Sequence, residues 1–335
     1  MLRLARGTVL TAGDPDSAEQ ELTVQLADGA HPAIVDTALL GHAEPGDEVL
    51  VNIAARELEL GSGGFDIVHA NLTRGLDAPA TSPERVMKLN YTSLQHAVHA
   101  VEADLPAKLP PLPPAPVAVL ALHSQLAPLA WAFANAAPGA RLGYIQTVGG
   151  ALPASHSHTA RLLRERGLLA GHLTAGAAFG GPDGDAITTP GALAYAFSSL
   201  RWDAAVAGPG PGIQGSSSTL GHGGLAALET AHGAIALGLR PLIVPRISDA
   251  DERPRHRGVS HHTATVLRLL LARVTVALPP GKYDIAGHTP ARAPTDLDGY
   301  ERSGLPADFM GRSLRVETSF FTASLVAGGV LATLL

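Results

Sequence analysis

From residue 117 onward, short apolar segments alternate regularly with longer helix-forming segments, and this alternation is what most constrains the fold. Six apolar segments lack polar alternation, namely VAVLAL, RLGYIQTV, GHLTAGAAF, DAAVAG, RPLIVPRIS and VTVALP. Strands of this kind are buried on both faces, as in a parallel sheet covered by helices. The alternation therefore predicts a Rossmann-like, doubly wound α/β domain over residues 117–335.

Residues 1–75 have the different pattern of a small β domain. Turn-forming residues separate four short, β-rich segments, which are LRLARGTVL, ELTVQLA, PAIVDTALL and DEVLVNIA. Four or five strands in so short a stretch predict a small barrel. We expect residues 76–116 to connect the domains, with a helix in the second half of 84–104 and a proline-rich segment at 106–116. The predicted fold class is thus α/β, a small N-terminal β-barrel followed by a doubly wound, mostly parallel α/β domain.

Composition limits the partners and the chemistry of this chain. The net charge is −6, so we expect no nucleic-acid partner, since that requires a broad basic surface. There is no cysteine, which excludes disulfides, thiolate nucleophiles and cysteine–metal sites. The first residues lack the apolar run of a signal peptide, and the apolar segment 324–335 is shorter than the about 20 residues of a membrane helix. We therefore expect a cytoplasmic protein without a membrane partner, ending in a packed helix.

Polar residues follow the ends of the predicted strands. His123 and Ser124 follow the first strand, a glycine-rich segment at 208–224 follows the fourth, and Arg246 and Asp249 follow the fifth. In open parallel sheets, ligands bind beyond the carboxyl ends of the strands. The sequence therefore predicts a ligand site at this edge.

The glycine-rich segment GPGPGIQGSSSTLGHGG contains a literal G-x-G-x-x-G at 210–215. It is a poor dinucleotide motif, because prolines flank the glycines and nine residues separate the motif from the next helix. Nor does a Lys-Ser or Lys-Thr pair complete a phosphate loop. Backbone N–H groups near a helix N-terminus suit an anion, whereas a tight turn that admits only small residues is an equal alternative. The residues expected to contact a ligand are Gly210, Gly212, Gly215, Ser216 and His222.

The densest chemistry lies in RPRHRGVSHHT, residues 253–263, where Ser260 is a predicted N-cap. Basic residues at a helix N-terminus oppose the helix dipole. Either a phosphate or carboxylate binds there, or the nearby acids Asp249, Asp251 and Glu252 neutralise the arginines. We favour the anion. Its predicted ligands are Arg246, Asp249, Arg253, Arg255, Arg257 and His262, and the predicted proton-transfer groups are His123, His256 and His261.

Histidine and aspartate also raise the alternative of a metal site. Adjacent helical residues point about 100° apart, so we do not expect His261 and His262 to share one ion, and we assign no metal ligand. No cofactor is assigned either. Three functions stay open. They are an enzyme or binding protein for a small anionic metabolite, a non-catalytic sensor or assembly module in a possible homo-oligomer, and a His/Asp metal-dependent hydrolase.

Four segments carry a resemblance to an uncharacterised bacterial family, a domain of unknown function common in actinobacteria. They are LALHSQL, GPGPGIQGSSSTLGHGG, PRISDADERPRHRGVSHHT and MGRSLRVETSFFTASLVAGG. The resemblance implies this two-domain architecture but no activity. Val148 departs from it, since relatives are expected to have an acidic residue there. The chain is also faintly similar in shape to glycine and proline reductase precursor subunits, whose cysteine-dependent pyruvoyl chemistry cannot carry over.

Overall fold

The computed structural model describes residues 2–59, 64–74 and 84–335. The chain divides into two compact units, Met1–Ala97 and Val98–Leu335. The boundary expected between residues 75 and 76 lies outside the described residues.

The first unit is built around a closed five-stranded barrel, in which β1 pairs with β2 and β4, and β5 closes the sheet between β3 and β4. This confirms the predicted barrel. Its core consists of inward-facing aliphatic side chains such as Val24, Val49 and Val51, none of which is exposed. The elements of this part of the chain are β1 Leu4–Ala12, β2 Glu19–Leu26, β3 Gly29–Asp36, α1 Thr37–Leu40, β4 Glu48–Asn52, α2 Ala54–Glu57, β5 Asp66–Asn71, and the paired strands β6 Val86–Lys88 and β7 His96–Val98.

The second unit contains an eight-stranded parallel sheet covered by helices. The strands of this unit are β8 Pro116–Leu120, β9 Leu142–Thr147, β10 Gly171–Ala175, β11 Asp185–Ala186, β12 Ala204–Pro209, β13 Arg240–Val244, β14 Ile247–Ser248, β15 Gly258–Val259, β16 Thr275–Ala277, β17 Thr289–Ala291, β18 Asp308–Phe309 and β19 Arg312–Ser313. Of these, β14 pairs with β15 and β18 pairs with β19 outside the eight-stranded sheet. The helices are α3 Leu126–Ala136, α4 His158–Glu165, α5 Thr189–Ser198, α6 Ala226–Ala236, α7 His261–Leu269, α8 Leu297–Arg302 and α9 Thr318–Thr333. The 3₁₀ helices are Val101–Asp104, His123–Gln125, Ala154–His156, Gly223–Leu225 and Pro254–His256.

The order of strands in the sheet is β11-β10-β9-β12-β8-β13-β16-β17. Helices α3, α4 and α9 bury their apolar residues on one face, and α5, α6 and α7 bury theirs on the other. The domain is therefore doubly wound, as predicted. The chain leaves β8 and β9 toward one face and leaves β12 and β13 toward the other. Because β8 lies between β12 and β13, neighbouring strands send the chain to opposite faces here, and this is the position where open α/β sheets bind ligands.

One element differs from the prediction. The helix expected in the second half of 84–104 is instead the strand β7 and the short 3₁₀ helix Val101–Asp104. Val98 and Ala100 are buried, whereas Ala97 and His99 are exposed. This alternation has a period of two, which is the period of an extended chain and not of a helix.

The last helix, α9, is buried along most of its length, as expected. It packs closely against α3 at Gly328, where a Cβ atom would lie 2.2 Å from the carbonyl oxygen of Leu129. A side chain at that position would meet backbone, which cannot move aside. Among the described residues, no helix is both long and apolar enough to cross a membrane.

Candidate functional site

The segment between β13 and α7 leaves the C-terminal edge of the sheet and returns to it. Strands β14 and β15 form a short antiparallel ribbon. The ends are joined by two hydrogen bonds, from the Ser260 amide to the Arg246 carbonyl at 2.9 Å and from the Arg246 amide to Thr263 Oγ1 at 2.9 Å. Ser260 caps α7, with its Oγ accepting from the His262 amide. The basic cluster is therefore held rigidly at the start of α7.

Asp251 is the centre of this segment. Its carboxylate is buried and accepts hydrogen bonds from Arg246 Nη2 at 2.9 Å and from Arg253 Nε and Nη2, both at 2.9 Å. Arg257 Nε donates to the Asp251 carbonyl oxygen at 2.9 Å. Hydrogen bonds from Arg253, together with the charges of Arg253 and Arg246, hold the pKa of Asp251 well below its usual range, although burial opposes them. Burial lowers the pKa of Arg246 to about 10, so Arg246 stays charged at neutral pH.

A second buried carboxylate, Glu317, lies at the start of α9. It accepts from Ser248 Oγ at 2.9 Å and from Arg312 Nε at 2.6 Å. The guanidinium groups of Arg246 and Arg312 lie over the ring of Phe309, at 5.5 and 5.8 Å from its centroid. Three arginines, including the partly exposed Arg253, thus share two carboxylates within a packed network.

Four imidazole rings meet beside this network. His256 ends a 3₁₀ helix, His261 and His262 begin α7, and His222 follows the glycine-rich loop. The rings of His222 and His262 stack, with centroids 3.9 Å apart and an interplanar angle of 13°. The ring centroid of His256 lies 4.9 Å from that of His261 and 4.9 Å from that of His262. The centroids of His261 and His262 are 4.4 Å apart. This group is called the histidine cluster below.

The histidine cluster is electrically neutral. Burial, followed by the charges of Arg246 and Arg253, lowers the pKa of His256 to about 3, and burial lowers the pKa of His262 to about 2. Burial also lowers the pKa of His222 and His261, with Arg255 the next contributor for His261. The three most buried members, His222, His256 and His262, are each less than a tenth exposed. Neutral imidazole is the form that ligates metals and accepts protons.

Several ring nitrogens in the cluster lack partners. His261 Nε2, His262 Nδ1 and both ring nitrogens of His222 make no hydrogen bond of normal geometry with any described residue. A buried polar group left in this state costs about 1–3 kcal/mol. Other histidines of the same domain are satisfied. His288, for example, contacts the Leu267 carbonyl at 2.7 Å and accepts from the Val274 amide at 3.3 Å.

The glycine-rich segment forms a small hairpin, in which Gly215 and His222 make an antiparallel β-bridge. This hairpin brings His222 to the histidine cluster. A Cβ at Gly215 would lie 3.7–3.8 Å from His262 and His222, and one at Gly224 would lie 3.1 Å from His222 Nδ1. Glycine therefore lets the loop lie directly against the imidazole rings. The Ser216 amide is occupied, since it donates to the Gly221 carbonyl at 2.7 Å. That amide is unavailable to an anion, contrary to the sequence-based expectation of a free donor.

The other predicted residues of this loop have different surroundings. Gly210 is buried, and its Cβ would lie 2.4 Å from the Ala151 carbonyl oxygen, so glycine there serves close packing. Gly212 is exposed with a φ of +70°, which is the role of a turn glycine. Of the two interpretations weighed from the sequence, a tight turn describes these two positions, whereas Gly215 contacts the histidine cluster.

His123 makes its contacts in another part of the same edge. Its Nε2 lies 2.7 Å from Ser157 Oγ, and its ring meets Tyr144 edge-on. Tyr144 in turn packs on His172, and burial lowers the pKa of His123 to about 4. Ser124, beside it, is exposed. Among the described residues, His123 makes no contact with the histidine cluster. The structure therefore separates it from His256 and His261, the two other histidines predicted to transfer protons.

The acids near the basic cluster behave unequally. Asp251 neutralises Arg246 and Arg253, as the salt-bridge alternative requires. Asp249 instead accepts a hydrogen bond from Ser319 Oγ, and Glu252 is exposed. Arg255 is exposed and forms no ion pair or hydrogen bond within the described part of the chain. The salt-bridge alternative therefore accounts for Arg246 and Arg253, whereas it does not account for Arg255.

Three members of this site were not identified from the sequence, namely Phe309, Arg312 and Glu317. They lie far along the chain and reach the site because α9 begins beside β14. The segment MGRSLRVETSFF contains Arg312 and Glu317, but in the sequence it carried only the family resemblance. Its combination of an arginine with a glutamate before an apolar helix was the available signal.

These observations define a class of protein with a closed β-barrel and a doubly wound α/β domain that carries a histidine cluster at its C-terminal edge. The sequence model of a family described as "Protein of unknown function (DUF3866)" matches residues 32–328, and the chain belongs to that family. Comparisons with curated proteins and with solved structures found no match.

Proposed function

We propose that the protein binds a small anionic metabolite between the glycine-rich loop and the N-terminus of α7. The observation that carries this proposal is the position of Arg255. It is exposed, has no carboxylate partner among the described residues, and is the charge that most lowers the pKa of the half-buried His261. A phosphate or carboxylate bound beside His261 would pair with this arginine.

The histidine cluster supports the same location. Its buried, unpartnered ring nitrogens are available to polar groups of a ligand, which would remove the cost of leaving them unsatisfied. His222 is the member best placed to contact a ligand that enters along the glycine-rich loop, because His222 belongs to that loop and Gly224 lies against its ring. Neutral imidazoles also accept protons, so an enzyme acting on the bound anion would find its general base in His222 or His261.

Thermal unfolding tests the proposal. Phosphate, pyrophosphate and di- or tricarboxylates are compared with neutral polyols at matched ionic strength. A ligand at about 100 times its Kd stabilises the folded protein by about 2.7 kcal/mol, which raises the midpoint by about 5 °C or more for a domain of this size. We expect that rise for one class of anion in the wild type, and its loss in Arg255→Gln.

Arg268→Gln is the matched control, because Arg268 is an exposed arginine at the opposite end of α7. It should keep the full response to the anion. Equal shifts from polyols and anions would contradict the proposal, as would a response that survives unchanged in Arg255→Gln.

A further inference from the structure

Three members of the histidine cluster can direct one nitrogen each toward a common point. The ligand atoms of His256, His261 and His262 all lie within 4.8 Å of one another. A tetrahedral zinc ion, with nitrogens at about 2.0–2.1 Å, holds its ligand atoms about 3.3 Å apart. Small rotations of the three side chains would therefore close the group around one ion.

The convergence of His261 and His262 has a physical reason that their neighbouring positions conceal. Both lie in the first turn of α7, and helical side chains lean toward the helix N-terminus. There the 3₁₀ helix Pro254–His256 passes beneath the end of α7 and brings in the third ring. The expectation that neighbouring helical residues diverge applies to the interior of a helix, where no such segment lies in front of the rings.

The hydrogen bonds around these three histidines leave ring nitrogens without a partner, as in a set of metal ligands and unlike a packed core. His256 Nδ1 lies 2.7 Å from Ser260 Oγ, which, when Nδ1 carries the proton, leaves Nε2 with a free lone pair. His261 Nε2 and His262 Nδ1 have no partner within the described residues. His262 is only 4% exposed, so water does not compensate for the missing hydrogen bond.

The surrounding residues leave the fourth position to an external ligand. The rings of His222 and His262 are nearly parallel, so the in-plane lone pairs of His222 do not point at the ion that His262 would bind. Asp251, the nearest buried carboxylate of the segment, is already shared by Arg246 and Arg253. Within the part of the chain that the structure describes, no further histidine or carboxylate completes the set.

We propose that His256, His261 and His262 bind one zinc-type divalent cation, with an open fourth position that takes an anion. Imidazole nitrogen suits zinc, and three protein ligands with one open position are the arrangement of sites that bind exchangeable ligands. Three neutral ligands leave the site with the charge of the ion, so a negatively charged fourth ligand is favoured. Only that last point rests on the proposed function, in which the anion pairs with Arg255, whose charge acts on His261.

Metal titration of the full chain without an affinity tag tests the proposal. After removal of metal with a chelator, Co²⁺ is added and its visible d–d absorption is recorded, followed by displacement with Zn²⁺. We expect one equivalent to bind with the intense absorption of a four-coordinate ion. His262→Gln and His261→Gln should each weaken binding by at least about 100-fold, because two ligands hold an ion much less tightly than three.

His42→Gln is the control, since His42 is an exposed histidine of the barrel unit. It should bind the metal like the wild type. A wild type that binds no metal would overturn the proposal, and so would stoichiometric binding that persists in both cluster variants. Zinc-soaked crystals of the wild type give a measurement independent of variant folding. An anomalous peak about 2.0–2.3 Å from the three rings supports the site, and a peak elsewhere contradicts it.

The same variants separate this proposal from the preceding one. Metal binding that depends on the cluster, without any response to anions, supports the metal site and overturns only the anion proposal. A response to anions that persists in metal-free protein, with no metal bound at any concentration tested, overturns the metal site and leaves the anion proposal standing.

Ser260→Ala tests the role of the hydrogen bond to His256. Ser260 is a positioning residue, because its hydroxyl contacts His256 Nδ1 and would hold the ring in the orientation that binds metal. Removal of such an outer hydrogen bond weakens metal affinity by about 10–100-fold. A purely structural role predicts a lower thermal midpoint with unchanged Co²⁺ affinity, and that result would contradict the assignment.

Discussion

Replacing Asp251 with asparagine is expected to lower the free energy of unfolding by about 3–5 kcal/mol, measured by urea denaturation at neutral pH. The variant keeps the size of the side chain but removes its charge. Arg246, only 3% exposed, would then be a buried cation without its carboxylate partner. Breaking a buried ion pair from one side costs far more than breaking a surface pair, because water cannot replace the lost partner.

Glu301→Gln is the matched control for this prediction. Glu301 pairs with Arg315 in an exposed ion-pair cluster, where water and salt already screen the charges. We expect a change below about 1 kcal/mol. A loss in Asp251→Asn no larger than that in Glu301→Gln would show that the buried network contributes little to stability.

Acid should reduce the difference between the wild type and Asp251→Asn. The pKa of Asp251 is depressed in the folded protein, so its stabilising contribution is complete above the unfolded value of about 3.9. The contribution is lost as the pH falls from there toward the folded pKa, where the protonated side chain resembles asparagine. Denaturation at a series of pH values between neutral and acid checks this. A difference that stays constant down to pH 2 would contradict the assignment.

Replacing Gly328 with alanine should destabilise the α/β domain by about 2–3 kcal/mol. In an isolated helix the change would be favourable by about 1 kcal/mol. Here the new methyl group would lie 2.2 Å from the Leu129 carbonyl oxygen and 2.8 Å from the Phe133 amide nitrogen. Both are backbone atoms of α3, so the two helices must separate and lose contacts along their interface.

Gly233→Ala provides the comparison, since Gly233 also lies within a helix, α6. Its Cβ would meet only Pro190, with the nearest atom at 3.1 Å. A shift of a few tenths of an ångström relieves that contact, so the gain in helix propensity should offset most of the cost. Thermal and urea denaturation of both variants decide the point. Equal effects at the two positions would contradict close helix packing at Gly328.

The stability predictions for Asp251 and Gly328 concern two parts of the domain that support the histidine cluster. Asp251 fixes the segment that carries His256, and the chain leading into α9 supplies Arg312, from β19, and Glu317, the residue before the helix, to the network beside it. The histidine cluster is thus supported by buried charges and by a tightly packed helix. Such support lets a group of unsatisfied imidazoles persist, because the rest of the domain determines their positions.

Much of the architecture was predictable because it depends on local periodicity. Short, uniformly apolar segments are typical of strands buried on both faces, and their alternation with helices leaves few topologies. The barrel was predictable from alternating strands and turn residues. The connector was not, because the short segment containing Val98 and Ala100 is compatible with either period. Its burial in the folded chain, and not its composition, selects the extended form.

The positions of the candidate residues could be predicted from the sequence, but their contacts could not. The structure puts residues that follow the strand ends at one edge of the sheet, and Ser260 caps α7 as RPRHRGVSHHT predicts. The sequence could not show that Asp251 neutralises Arg246 and Arg253 while Asp249 turns to Ser319. Choices of this kind depend on which carboxylate is buried, and burial is a property of the assembled domain.

The sequence by itself determined the alternation of strands and helices along the α/β domain, the small residues that allow close approach, and the concentration of histidine and arginine after β13. Only the tertiary structure decided which of those groups are neutral, which form ion pairs and which stay unpaired. Burial sets the protonation of His262, and an ion pair with Asp251 occupies Arg246, whereas Arg255 stays exposed. Desolvation and pairing depend on three-dimensional neighbours, and those are absent from a one-dimensional pattern.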